Sequence, residues 1–232
     1  MKKLQFTLAI LLSLFLQSNL QAQELINSQA LVESNTGLIL TFDRSDKTIQ
    51  GSPYIYEEFS PARVSADQDK IFNLRYNAVS DEIEVQTDKS TIQAINKNIK
   101  GVTITFLKDD KTYQAINYID SDGSAKRGYF IYLTNTNDSN PLLLKESIKF
   151  LERQPAKSSY QEAKPAEFKR QDDKYYIMLK NETAVELPSK KKEIANLFPE
   201  HSKDILDFIK SNSIKTSKQE DLIQLARYIN TF

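Results

Sequence analysis

The carboxylates are the side chains of this sequence whose spacing comes nearest to known chemistry. They are paired at Glu57-Glu58, Glu82 and Glu84, Asp109-Asp110 and Asp172-Asp173. Glu82 and Glu84 alternate with Ile83 and Val85, so they share one strand face about 6–7 Å apart by strand rise. That separation suits a glycosidase acid–base pair, but the simpler reading is the polar face of a half-solvated strand. Other catalytic chemistries find fewer residues. The chain of 232 residues has no cysteine, which excludes thiol nucleophiles and thiolate metal sites. Its one histidine, His201, falls where a helix should begin and reads as a surface or capping residue.

Motif searches add little. There is no HExxH zinc helix, GxSxG elbow, GxGxxG turn or GxxxxGK phosphate cradle. Placing Asp120-Ser121-Asp122-Gly123 on an EF-hand loop puts Tyr118 at the first ligand position and Tyr129 at the twelfth, and neither can serve. These acidic turns read as solvated hairpin residues. The expectation is therefore no catalytic residue, no metal and no cofactor. The run Lys190-Lys191-Lys192 lacks interleaved aromatics and reads as solvated, so no nucleic-acid partner is expected.

The aromatic residues are more suggestive. Tyr54, Tyr56, Phe59, Phe72 and Tyr76 crowd into the stretch Gly51–Val85. With Arg63 and Arg75 as polar anchors, Tyr54, Tyr56 and Tyr76 form a candidate surface for a glycan, lipid or peptide. The competing reading is cross-strand aromatic packing at the seam of a sheet.

A β-rich frame must position these groups. Pro53 and Pro61 favour irregular or edge positions. Period-two or continuous apolar runs predict strands at Leu38–Phe42, Ile71–Tyr76, Glu82–Val85, Val102–Phe106, Tyr113–Ile119, Tyr129–Leu133 and Leu142–Leu144. Tyr175–Leu179 and Thr183–Leu187 make a further hairpin across Lys180-Asn181-Glu182. Ile92, Ile95 and Ile99 fit a weak helical stripe or a short strand, Ser147–Glu152 fits strand or helical turn, and residues 154–172 read as a long loop. From Ser189 the period becomes helical. Ser202 is the expected cap of one helix and Asn212 its end, and Ser217-Lys218-Gln219-Glu220 is a capping-box pattern ahead of Leu222, Leu225, Ala226 and Ile229.

The first residues predict a destination. Lys2 and Lys3, the apolar run Phe6–Leu16 and the polar QSNLQAQ follow the three-part plan of a secretory signal peptide, with cleavage expected after Ala22. The apolar run of about 11 residues is short of the roughly 20 needed for a membrane helix. Cleavage would remove two lysines and no acid from a balance of 31 basic and 31 acidic residues. The near-neutral product has no field to gather nucleic acid or anionic lipid.

The stretches GSPYIYEEFSPARV, LRYNAVSDEIEV and KQEDLIQLARYIN resemble a family of exported Bacteroidota proteins. Its members share a signal peptide ending in AQ, a G-S-P-Y start, an RYN…DE-I-E hairpin and a Lys-rich helical end. The resemblance spans most of residues 45–232 and implies a periplasmic or secreted location, with no activity to carry over.

The expected fold is mainly β with a helical C-terminal tail (α+β): an antiparallel, strongly curved sheet, as an open barrel or sandwich, with short helices at one end. Residues 23–188 would form the β-rich domain and 189–232 the helical segment of that same domain. The expected function is non-enzymatic binding or structural work in the cell envelope, with an envelope protein, lipid or glycan as partner. The alternatives are a carrier of a hydrophobic ligand and a carboxylate-based hydrolase.

Overall fold

The computed structural model describes residues 32–33, 49–86, 92–156, 162–180 and 182–232. The signal peptide and the strand expected at Leu38–Phe42 lie outside the described residues. The fold is mainly β with a small C-terminal helical segment, built around a closed five-stranded barrel with extra strands.

One strand, β7 (Thr112–Ile119), organises the architecture. Along one edge it pairs throughout with β8 (Ala125–Tyr132), from Tyr113↔Ile131 to Ile119↔Ala125. Its other edge is divided. Residues 112–114 pair antiparallel with β6 (Thr103–Phe106), whereas Asn117, Tyr118 and Ile119 pair parallel with Thr183, Ala184 and Val185 of β13 (Thr183–Glu186). Beyond β13 come β12 (Lys174–Met178) and β9 (Leu142–Lys145), and β9 returns to β8, which closes the barrel. Beyond β6 the sheet continues through β2 (Ser60–Val64), β3 (Asp67–Asn77), β4 (Glu82–Gln86) and β5 (Ile92–Ile95) to the two-residue β1 (Val32–Glu33).

Side chains on a strand alternate between faces, so the β7–β8 hairpin serves two cores. Ile116, Tyr118 and Phe130 point into the barrel with Leu143, Tyr176 and Ala184. Tyr118, Phe130 and Tyr176 meet edge to face, with ring centroids 5.2, 4.9 and 5.8 Å apart, the arrangement that aromatic quadrupoles favour. Tyr113, Ala115, Tyr129 and Ile131 face the other way. The extra sheet curls back over them and brings Leu74, Tyr76, Ile83, Val85, Ile104 and Phe106 into a second core.

Two glycines permit close approaches. Gly51 has φ +77, and a Cβ there would lie 2.6 Å from the Phe168 carbonyl oxygen. It lets Gln50 bond to β11 (Glu167–Arg170) and to the residue before it, from Phe168 N to Gln50 O at 2.8 Å and from Gln50 N to Ala166 O at 2.9 Å. Gly128 faces the barrel interior, where a Cβ would approach Lys145 Nζ to 2.7 Å. Its missing side chain leaves room for the Lys145–Asp81 ion pair, 3.1 Å, with the ammonium 4.8 Å from the Phe130 ring centre.

Part of the expected loop at 154–172 is structured. β10 (Ile148–Leu151) and β11 form an antiparallel ribbon, pinned by Phe150 against Phe168 with ring centres 5.2 Å apart. Ile92–Ile95 is strand rather than helix, and β8 begins four residues before the expected Tyr129.

The helices cover the outside of the barrel. They are α1 (Lys191–Asn196), a 3-10 turn (Pro199–His201), α2 (Ser202–Ser211) and α3 (Gln219–Ile229). Ile205 and Ile209 of α2 and Leu225 and Ile229 of α3 pack with Ile177 of β12, while Leu222 and Ala226 pack on Leu142 of β9. The expected capping box does not form. Lys218 occupies the α3 cap without a side-chain bond, and Asp221 instead accepts from the Lys215 amide at 2.8 Å. Ser202 is likewise the first helical residue rather than the cap, because the 3-10 turn runs straight into α2. Asn212 does end α2.

Candidate functional site: a cleft beside the barrel wall

Where the extra sheet leaves the barrel, the second core opens to solvent in a shallow cleft that encloses about 20 Å³. Leu74 and Tyr76 of β3, Phe106 of β6 and Tyr113 of β7 line its floor. Their apolar bodies are buried because each sits at an inward position of its strand. The rings form a chain, with Tyr76 to Tyr113 at 5.3 Å and Phe106 to Tyr113 at 5.4 Å. One bank is the irregular segment 51–59, which contributes Tyr56 and Glu58; the other is the turn between β6 and β7, which contributes Lys108, Asp109 and Lys111.

The first bank is held down by Arg75. This arginine is only 4% exposed. Its guanidinium lies 3.8 Å from the Tyr54 ring centre and 4.3 Å from that of Phe59. Nε and Nη2 donate to one Glu84 oxygen at 2.8 and 2.6 Å, and Nη2 also donates to the Tyr54 hydroxyl at 2.7 Å. Nη1 reaches the Glu57 carbonyl at 3.3 Å, and Asn77 Nδ2 satisfies the other Glu84 oxygen at 3.1 Å. A buried charge is tolerated only when paired and hydrogen-bonded, and this cluster meets that condition.

The Glu82 and Glu84 face is therefore not the open polar face expected for it. Segment 51–59 covers Glu84, and Glu82 pairs with Lys97 at 3.0 Å. Burial raises the Glu82 pKa against the opposing pull of Lys97.

Polar bonds also stiffen the floor. The Tyr76 hydroxyl donates to Asp81 Oδ1 at 2.7 Å, and Tyr113 donates to Glu146 Oε2 at 2.8 Å. Burial, reinforced by these carboxylates, pushes both phenol pKa values upward, so both remain donors. Glu146 is 6% exposed and also accepts from Lys111 Nζ at 3.0 Å. Burial acts to lower the Lys111 pKa, but the Glu146 charge and hydrogen bond outweigh it and the pKa is raised.

The five residues singled out in the sequence divide between the two faces of the sheet. Tyr76 is in the cleft floor, and Tyr56 stands on the rim, 46% exposed. Tyr54 and Arg75 form the clamp behind that bank. Arg63 is distant in role: its Nη1 donates to Gln68 O at 3.0 Å, within the β-bulge where the β2–β3 register slips. Lys108, Lys111, Tyr113 and Glu146 had escaped notice, because a turn of mixed charge and an alternating strand carry no sign of what lies across from them.

Among the described residues, no three His, Asp or Glu side chains converge as metal ligands. No helix among them is long and apolar enough to cross a membrane. Comparison with known proteins found no matching protein-family model, no matching curated protein and no matching solved structure.

Proposed function

We propose that the chain is an exported, non-enzymatic binding module of the cell envelope, and that the cleft beside the barrel wall is its binding site. The observation that carries this reading is an apolar-floored cleft with an exposed tyrosine on its rim. Small-molecule sites combine an apolar lining with a few polar groups in this way. The N-terminal signal pattern and the resemblance to exported Bacteroidota proteins support the compartment. The carrier alternative draws less support, because the barrel interior is filled by Tyr118, Phe130, Leu143 and Tyr176. The hydrolase alternative needs two converging acids at the cleft, where Glu146 is paired with Lys111 and Asp109 lies 4.0 Å from the same ammonium, which leaves Glu58 without a free acid partner there among the described residues.

The test is to isolate the chain and its Tyr56→Ala variant from the native envelope and identify co-purifying small molecules by mass spectrometry. A ligand retained by the parent and lost from the variant is expected. The same complement on both, or none on either, would overturn the assignment.

A further inference from the structure

Away from the cleft, an amine and a carboxyl group meet in the barrel wall. Lys145 ends β9 and Asp81 lies in the turn between β3 and β4, 64 positions apart in sequence. Their side chains are 13 and 23% exposed, with Nζ 3.1 Å from Oδ2. The ammonium faces the rings of Phe130 and Tyr118, 4.8 and 5.2 Å from their centres, and donates to the Tyr129 carbonyl at 3.2 Å. The other carboxyl oxygen, Oδ1, accepts from the Tyr76 hydroxyl at 2.7 Å and from the Tyr129 amide at 3.2 Å. Asp81 is fixed from behind: its backbone has φ +57, and its carbonyl accepts from Lys97 Nζ at 2.7 Å. Gly128 makes the meeting possible, since a Cβ there would collide with both Oδ2 and Nζ.

Acyl transfer needs a nucleophile on one side of the carboxyl group and donors on the oxygen that gathers charge. Both are present. We propose that Lys145 and Asp81 condense to an intramolecular isopeptide bond. The proton on the 3.1 Å bond passes from Nζ to Oδ2, leaving an amine and a carboxylic acid. Aromatic faces replace part of the water that would otherwise favour the charged pair. The amine lone pair attacks Cγ, and the charge developing on Oδ1 meets the two donors. Oδ1 then reforms its double bond, and Oδ2 leaves as water with its own proton and one from nitrogen. One N–C bond forms, one C–O bond breaks, and no oxidant or cofactor is consumed. The bond staples the β3–β4 turn to the barrel in a chain that has no cysteine for a disulfide.

The experiment is peptide mapping by mass spectrometry on the whole chain, incubated at neutral pH, denatured and digested with trypsin. Residues 76–89 should emerge joined to residues 128–149, uncut after Lys145, at the sum of their masses less one water. Fragmentation should place the link between Asp81 and Lys145. Lys145→Arg keeps the cation but offers no amine nucleophile, so the joined species should be lost completely. The parent digest decides the matter even where that variant fails to fold. Separate peptides alone from the parent, with cleavage after Lys145, would overturn the proposal. So would a joined species that persists in Lys145→Arg.

Discussion

The two faces of the β7–β8 hairpin carry similar side chains to opposite ends. On the barrel face, Tyr118, Phe130 and Tyr176 pack edge to face and fill the space. On the outer face, Tyr113 and Tyr129 meet Tyr76 at 5.3 and 6.4 Å, and the layer opens into the cleft. The difference lies in what closes each face. Hydrogen-bonded strands encircle the barrel interior, while the outer face is covered by a sheet that diverges where β7 exchanges β6 for β13. Aromatic density alone therefore does not mark a binding surface. The cleft opens where the covering layer has an edge.

The largest effect is expected on the sealed side. Phe130 is fully buried, and Phe130→Ala should lower unfolding free energy by about 3–5 kcal/mol, measured by urea denaturation. Where that variant remains folded, ligand binding at the cleft should survive; joint loss at low denaturant would mean that the two cores are not separable.

Arg75→Met attacks the open side. It leaves the half-buried Glu84 without its cation, at an expected cost of about 3 kcal/mol. Amide exchange in residues 51–59 should also accelerate, and unchanged protection there would refute the clamp. Tyr76→Phe is milder. It removes only the hydroxyl that donates to Asp81 and should cost about 1–2 kcal/mol, whereas an unchanged unfolding midpoint would sink the buried bond.

Lys111 tests the electrostatics of the floor. Its raised pKa means that the folded chain holds this proton more tightly than the unfolded chain, whose value is near 10.5. The stabilisation is present in full below that value and is lost as pH rises through the folded one. Lys111→Met should thus be less stable than the parent at pH 7–9, with the gap narrowing in alkali; a pH-independent gap would assign the loss to packing. Smallest of all is Tyr56→Ala, expected within about 0.5 kcal/mol of the parent because the side chain is on the rim. A larger loss in calorimetry would make Tyr56 a structural residue.

Much of the strand pattern was legible because period-two alternation survives in strands with one buried face. Glu82–Val85 and Val102–Phe106 read correctly for that reason. The start of β8 did not, because Ala125, Lys126 and Arg127 are largely polar or exposed and only their pairing with residues 117–119 makes them strand. The Glu84 face was misread for a related reason. Alternation tells which side chains share a face, and it says nothing about a separate segment folding over that face. Tyr56 and Tyr76 were found through aromatic clustering, while Lys108 and Lys111 looked like ordinary turn residues. Barrel closure was invisible as well, since no local signal links Asn117 with Thr183.

That same contact sets an order of assembly. Among the described residues, β13 with β7 makes the one parallel pairing of the eleven-stranded sheet, and β13 comes from far along the chain. The first bank, segment 51–59, and the strands β2 to β8, which carry the floor and the other bank of the cleft, lie within residues 51–132, and these strands pair mostly with sequence neighbours. Contacts close in sequence form sooner than distant ones. A chain delivered N-terminus first can thus shape its cleft while the closing strand is still absent. Until Thr183–Glu186 arrives, the edge of β7 from Asn117 to Ile119 remains an unpaired template, exposed to capture by another strand. The interval before closure is when this protein is most open to misassembly.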